Sequence, residues 1–145
     1  SVAKGFAVDR AADVLRRWRI EKAIVVAGGD IYALRSAPDG EPWMLGLQPP
    51  TEEGPVAGTL LLENRAVATS GTYRQFFRHR GHRYHHIMDP TTAAPFETPV
   101  RSLTIVADSV MHADAPTTAL FGLDESDIRR ELGRTLPGAQ LVKIL

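Results

Sequence analysis

The sequence predicts an α+β protein, with a mixed or antiparallel sheet and helices packed against it. Three observations carry that reading. Helical and extended segments are mixed along one chain. Neighbouring strand-like runs are separated by tight turns, which favours hairpins over crossovers. No regular strand–helix alternation marks a doubly wound parallel sheet. The chain has 145 residues, 43% of them hydrophobic and 23% charged. That is one domain's worth of ordinary globular composition, without repeat, linker or low-complexity tract.

Val8, Ala11, Ala12, Leu15 and Trp18 recur at three- and four-residue spacing, with Asp9, Arg10, Asp13, Arg16 and Arg17 between them. That spacing predicts an amphipathic first helix. Ala23–Ala27 is a short β-branched run and reads as a buried strand. Gly28-Gly29-Asp30 breaks it, and Ile31–Leu34 resumes extended structure. A turn cluster at 36–40 precedes a strand at Trp43–Leu47, and the polar stretch 49–58 reads as a loop. Gly58–Leu62 and Arg65–Ala68 are strands joined at Glu63-Asn64. Tyr73–Arg78 and His82–Ile87 read as a hairpin turning near Gly81. Ser102–Ala107 is a strand, Ala113–Phe121 and Ser126–Leu132 are helices, and Gln140–Leu145 closes the chain as a strand.

Composition excludes several classes. With 17 Lys and Arg against 17 Asp and Glu, the chain lacks the positive excess of a nucleic-acid or membrane-surface binder. The absence of Cys removes disulfides, thiolate zinc sites and cysteine nucleophiles. No apolar run reaches the roughly 20 residues of a membrane-spanning helix. No signal peptide is recognisable. The chain opens on Ser1 rather than Met, which predicts a fragment or processed product.

Four places offer chemistry. Gly28-Gly29-Asp30 is either a strand-to-strand bend or a backbone cradle for phosphate; neither GxGxxG nor a P-loop occurs. Thr69-Ser70-Gly71 sets two hydroxyls beside a flexible backbone, as an ordinary turn or as a seat for a phosphate or ribityl chain. The run from His79 to His86 is rich in imidazole. Strand alternation parts His85 from His86, so a basic hairpin tip with one functional histidine, His86, is expected rather than a metal cluster. Asp114 and Thr118 share a helix face. Because Pro116 suits only a first turn, the helix should begin near Asp114, with Asp114 as N-cap or as ligand of a hard cation such as Mg²⁺.

In order and spacing these segments resemble the ApbE family, the Mg²⁺-dependent FAD:protein FMN transferases. The resemblance rests on Lys4-Gly5-Phe6-Ala7-Val8-Asp9, Ala27-Gly28-Gly29-Asp30-Ile31, Ala68-Thr69-Ser70-Gly71 with Tyr73, His86-Ile87-Met88-Asp89-Pro90 with Thr92, and Ala113-Asp114-Ala115 with Thr118-Ala119. It covers the chain from Lys4 to about Leu123. It implies the α+β flavin-transferase fold, related to tunnelling-fold repeats. It also implies a reaction in which FMN passes from FAD to a Thr or Ser hydroxyl of a target flavoprotein, releasing AMP. The alternatives are an FAD-binding module and a pyrophosphatase yielding FMN and AMP; a hydrolase using Ser1 as N-terminal nucleophile is a further rival.

By the same resemblance, Asp114 and Thr118 hold the metal with the backbone carbonyl of Ser1. His86 is the candidate general base. Lys4, Asp9, Gly28, Gly29, Asp30, Thr69, Ser70, Gly71 and Ile87 surround the flavin and its phosphates. Three positions depart from the pattern: Thr91 stands where the family usually has a basic residue, Ala93 replaces a family Gly, which costs energy if that position needs φ > 0, and Pro116 replaces an ordinary apolar residue. Family members carry well over a hundred residues before the Lys-Gly motif. The chain is therefore expected to be the C-terminal portion of one ApbE-like domain, exposing apolar surface that the other portion, or a complementary chain, would cover. The compartment stays open, export and anchoring outside the cytoplasmic membrane being frequent in the family.

Overall fold

The computed structural model describes residues 2–51 and 54–145. The chain runs α1 (Val2–Arg17), β1 (Ala23–Ala27), β2 (Asp30–Leu34), β3 (Trp43–Leu47), β4 (Gly58–Leu62), β5 (Arg65–Gly71), β6 (Phe76–His79), β7 (His82–His85), β8 (Ser102–Ala107), α2 (Val110–Ala119), α3 (Glu125–Thr135) and β9 (Gln140–Ile144). Five strands form one antiparallel sheet in the order β1-β2-β5-β8-β9, while β3–β4 and β6–β7 are separate two-stranded hairpins. The fold is α+β, as the sequence predicts.

Both faces of the central strands are covered. On one face Leu103 and Ile105 of β8 meet Val8 and Ala12 of α1, Val110 and Ala113 of α2, and Ile128 and Leu132 of α3. Ile105 and Ile128 are fully enclosed, and burial of such a side chain stabilises by roughly 1.5–3 kcal/mol. On the other face Ala33, Val67 and Val106 lie beneath Leu62, with Trp43, Leu45 and Leu60 packed alongside. The β3–β4 hairpin is thus a cover laid over the sheet. Strand alternation sorts β5 accordingly: Ala66 and Ala68 belong to the helical core, Val67 to the hairpin side.

Three differences from the sequence reading bear on the site. β5 continues to Gly71 because β8 pairs with it as far as Ser102. The β6–β7 hairpin is shorter at both ends. It closes on the pair His79 and His82 around Arg80-Gly81, and the chain leaves β7 after His85, where the Ile87 carbonyl accepts from Phe96 N–H (2.9 Å). The third is α2, which begins at Val110 rather than near Asp114. Its N-cap is Ser109, whose hydroxyl accepts from His112 N–H. Pro116 therefore lies inside the helix, where a proline forfeits one backbone hydrogen bond and ordinarily costs about 3 kcal/mol. Strong capping of the helix start and packing of α2 against α1, β5 and β8 offset that cost. Outside the core, Phe6 and Val14 stand exposed along α1, and Trp18, just past its end, is 78% exposed. Among the described residues no helix is long and apolar enough to cross a membrane.

Candidate functional site

The site begins where α1 crosses α2. Gly5 is buried at the crossing; a Cβ there would stand 2.8 Å from the backbone of Met111, so only glycine admits this approach. The helices cap one another. Asp9 of α1 accepts from Val110 N–H (2.8 Å) and Met111 N–H (3.0 Å), the unpaired donors at the start of α2. Asp114 of α2 accepts from Gly5 N–H (3.2 Å) in the first turn of α1, where the helix dipole also favours a carboxylate.

Lys4 precedes that glycine, and its ammonium ion-pairs with Asp30 and stands 3.9 Å from Asp114. Both carboxylates are almost wholly buried. Burial pushes the Asp30 carboxyl above the usual range, Lys4 pulls it back, and the negative charge of Asp114 acts with burial. Asp30 Oδ1 is buried without a hydrogen-bond partner among the described residues.

A cleft of ≈ 770 Å³ opens beside this cluster, a volume suited to a cofactor-sized ligand. Its floor includes Thr69, which lies opposite Thr104 in the β5–β8 pairing, their hydroxyls 2.9 Å apart. One residue on, Ser70 faces the helices and bonds both Thr117 (2.8 Å) and Thr118 (3.1 Å). Gly28 and Gly29, with φ of 55° and 94°, form a two-residue turn joining Ala27 to Asp30. Positive φ at both central residues is the geometry of a type I′ hairpin, which glycine reaches without strain. The bend and the cradle are thus one feature, since the turn also lines the cleft. Leu45, Leu47 and Leu60 of the β3–β4 hairpin form an apolar wall.

The two adjacent histidines divide as alternation predicts. His85 is structural: Nε2–H donates to the Phe96 carbonyl (3.1 Å) and Nδ1 accepts from Ile87 N–H (3.3 Å). Burial lowers its pKa below 6.5; Arg83 and His86 add to the shift, while the Phe96 carbonyl opposes it. His86 is exposed and lines the cleft. Its Nδ1 lies 3.3 Å from the Gln75 carbonyl. A carbonyl only accepts, so Nδ1 carries the hydrogen and the neutral ring keeps its lone pair on Nε2.

Of the residues singled out from sequence, ten line this one cleft: Lys4, Gly28, Gly29, Thr69, Ser70, Gly71, His86, Ile87, Asp114 and Thr118. Asp30 lies behind Lys4. Asp9 is not in the cleft lining; its carboxylate is taken up by the start of α2. Asp114 is likewise not an N-cap of its own helix, because that role falls to Ser109 five residues earlier. Ser1 lies outside the described residues. Sequence reasoning missed the leucine wall, because a hairpin's alternating leucines look the same whether they cover a core or a cleft. It also missed Arg74 and Gln75 at the rim, which carry no local signal.

The residues present fit a hard cation. Two buried carboxylates, Asp30 and Asp114, stand beside the Lys4 ammonium, and the hydroxyl of Thr118 lies one turn from Asp114. Among the described residues no three acidic or imidazole side chains converge. A cation here would therefore draw on hydroxyl, carbonyl, water and phosphate oxygens as well, a donor set typical of Mg²⁺.

An α+β domain with a hydroxyl-rich cleft at a helix crossing, lined by one buried carboxylate, is the class of protein that fold and site define. The ApbE family profile matches residues 1–142, and the chain belongs to the ApbE family. It is 37% identical over 124 residues to an FAD:protein FMN transferase of Klebsiella pneumoniae, covering 85% of this chain and 37% of that protein. It is 36% identical over 146 residues to one of Vibrio cholerae, covering 100% and 42%. Among solved structures, the ApbE protein of Thermotoga maritima superposes with a TM-score of 0.86 at 36% identity, covering 99% of this chain and 46% of that one. The flavin transferase ApbE of Vibrio cholerae gives 0.77 at 33%, covering 97% and 48%. The chain thus spans about two fifths of the length of these curated relatives.

Proposed function

We propose that this chain is the catalytic C-terminal portion of an FAD:protein FMN transferase, moving FMN from FAD to a Thr or Ser hydroxyl of a target flavoprotein. One observation carries the reading: His86, Asp114, Thr118 and Lys4 line the same cleft as the Gly28-Gly29 turn and the Thr69-Ser70 hydroxyls. A proton acceptor, a cation-binding carboxylate and a phosphate seat are what phosphoryl transfer needs, since it is mostly positioning and charge neutralisation.

In the proposed reaction the acceptor hydroxyl oxygen bonds to the FMN-side phosphorus of FAD. The bond from that phosphorus to the bridging oxygen breaks, and AMP leaves with that oxygen. His86 Nε2 takes the hydroxyl proton, held in the right tautomer by the Gln75 carbonyl. Asp114 and Thr118 would hold Mg²⁺, which neutralises pyrophosphate charge when bound. The Gly28-Gly29 turn and the Ser70 and Thr69 hydroxyls would orient the phosphates, while the leucine wall takes apolar ligand surface. The remainder of the FAD site would come from the part of the relatives' length that this chain does not span.

The test follows AMP release from FAD with and without Mg²⁺, in the presence of an acceptor domain bearing Thr. Transfer predicts Mg²⁺-dependent AMP with FMN retained on the acceptor. His86→Ala should abolish turnover while FAD still binds, and Asp114→Ala should abolish the Mg²⁺ dependence with it. AMP with free FMN would instead make the protein a pyrophosphatase. FAD binding without AMP would make it a flavin-binding module.

A further inference from the structure

Between Glu63 and Asp89 the chain carries five arginines, four histidines and no acidic residue. The rest of the chain then holds 12 Lys and Arg against all 17 Asp and Glu. Overall neutrality therefore hides a strongly polarised surface. The β6–β7 hairpin is the centre of the positive part. Arg78 and Arg80 are exposed on it and Arg101 lies nearby, and none of the three has an ion pair among the described residues.

Two local features show that the positive charge is maintained against the hairpin's own stability. Arg78 is directly opposite Arg83 in the register, and like charges opposite one another weaken a strand pair. Arg80 occupies the first position of the two-residue turn at φ 48°, where asparagine or glycine sits with less strain. Arg83 feels the crowding: burial lowers its pKa, and repulsion from Arg101 and Arg78 lowers it further. The hairpin also presents Phe77, 64% exposed and stacked on Tyr84 at 5.1 Å. Both ends of the hairpin run into the cleft, Arg74 and Gln75 on the way in and His86 on the way out.

We propose that the β6–β7 hairpin is the docking surface for the acceptor protein, and that it selects an acidic segment flanking the acceptor hydroxyl. This rests on the transferase reading, because it is the acceptor that must arrive beside His86. An anionic membrane would also be attracted by arginine and phenylalanine. The continuity of the hairpin with the cleft favours the acceptor, since a membrane-bound hairpin would have no need to border the reacting group.

Two labelled peptides test this on the full chain, one with Thr flanked by Asp and Glu, the other with Asn and Gln in their place. Binding is read by fluorescence anisotropy, which needs no turnover. The protein should bind the acidic peptide about tenfold more tightly at low salt and lose that preference at about 0.5 M salt, where surface charges are screened. The R78E/R80N variant should lose the preference at any salt while binding FAD as before. Its melting temperature should hold or rise, since the introduced carboxylate would face Arg83 and the turn would gain a favoured residue. R78K/R80K should retain the preference. Equal binding of the two peptides would overturn the proposal. So would a parallel fall in FAD affinity in R78E/R80N, or capture by phosphatidylserine vesicles that depends on Arg78 and Arg80 without any peptide preference. Charge-selective binding with no flavin transfer to either peptide would uphold the hairpin as a docking surface for acidic segments, while its role toward an acceptor would fall with the transferase reading.

Discussion

Replacing Gly5 by alanine is the most revealing perturbation, because helix propensity and packing predict opposite outcomes. By propensity alone, Gly→Ala inside a helix gains about 1 kcal/mol. At this position the new Cβ would sit 2.8 Å from Met111 Cα and N and 2.9 Å from the Val110 carbonyl carbon. Those are backbone atoms of α2 and cannot swing aside. Restoring ordinary contact near 3.5 Å requires the helices to part by roughly 0.7 Å. The same displacement stretches the Gly5–Asp114 bond from 3.2 Å beyond the useful range and loosens the two bonds from Asp9. Overpacking costs about 1–3 kcal/mol, and each weakened bond to a carboxylate about 1 kcal/mol or more. Net of the propensity gain, the loss is about 3–5 kcal/mol, or roughly 6–20 °C in melting temperature for a chain of this size. Thermal unfolding followed by circular dichroism reads the loss, and under the proposed function calorimetric titration with Mg²⁺ should show weaker binding than in the parent, because Asp114 moves with α2. A Gly5→Ala protein that melts higher than the parent would refute the close-approach argument.

Three further outcomes follow from single residues. Ala93 sits at φ 54°, the left-handed region, so Ala93→Gly should be neutral to stabilising by up to about 1 kcal/mol in urea unfolding, whereas Ala93→Val should destabilise. Thr117 is fully buried; its hydroxyl donates to the Asp114 carbonyl (2.7 Å) and bonds Ser70 (2.8 Å), so Thr117→Val should lower stability by about 1–3 kcal/mol and weaken ligand binding through Ser70. His85 has a folded pKa below 6.5, so on acidification the unfolded chain takes up the proton first. Its contribution to stability is complete above that value and is lost as pH falls from 6.5 through the folded pKa; the urea midpoint should decline over that window, less steeply in His85→Gln.

Much of the fold was legible because it is written in local signals. The first helix shows its period at Val8, Ala12 and Leu15, although Ala11 and Trp18 of the same series stand exposed. The strands at 23–27, 43–47, 58–62 and 102–107 are β-branched or leucine-rich runs bounded by turn residues, and they fall where those runs fall. The pairing order of the sheet was not legible. That β5 joins β2 to β8 while β4, two residues before it, belongs to another sheet depends on which face each strand buries, and no local pattern states it. The start of α2 was misread for a definite reason. Pro116 argued for a late start, yet the helix is capped by Ser109 from its own chain segment and by Asp9 from 101 residues away, and that second capping residue is invisible to a local rule.

The same crossing explains what Asp9 does in the fold. In Lys4-Gly5-Phe6-Ala7-Val8-Asp9 each chemically distinctive residue acts on α2 in its own way. Lys4 supplies charge beside Asp114, Gly5 admits the helix, and Asp9 caps it, while Val8 joins the core beneath. A compact motif containing a lysine and an aspartate reads as one ligand-binding unit, because sequence spacing does not tell a side chain that meets ligand from one that meets backbone. Helix geometry does. Positions 5 and 9 lie one turn apart on the same face, and here that face is against α2. Lys4 lies about 100° round the helix from Gly5, so its long side chain reaches past the crossing to Asp30 and the cleft. The motif is therefore a clamp with one functional arm: substitutions at Gly5 and Asp9 should act on ligand binding through the position of α2, and those at Lys4 should act on it through charge.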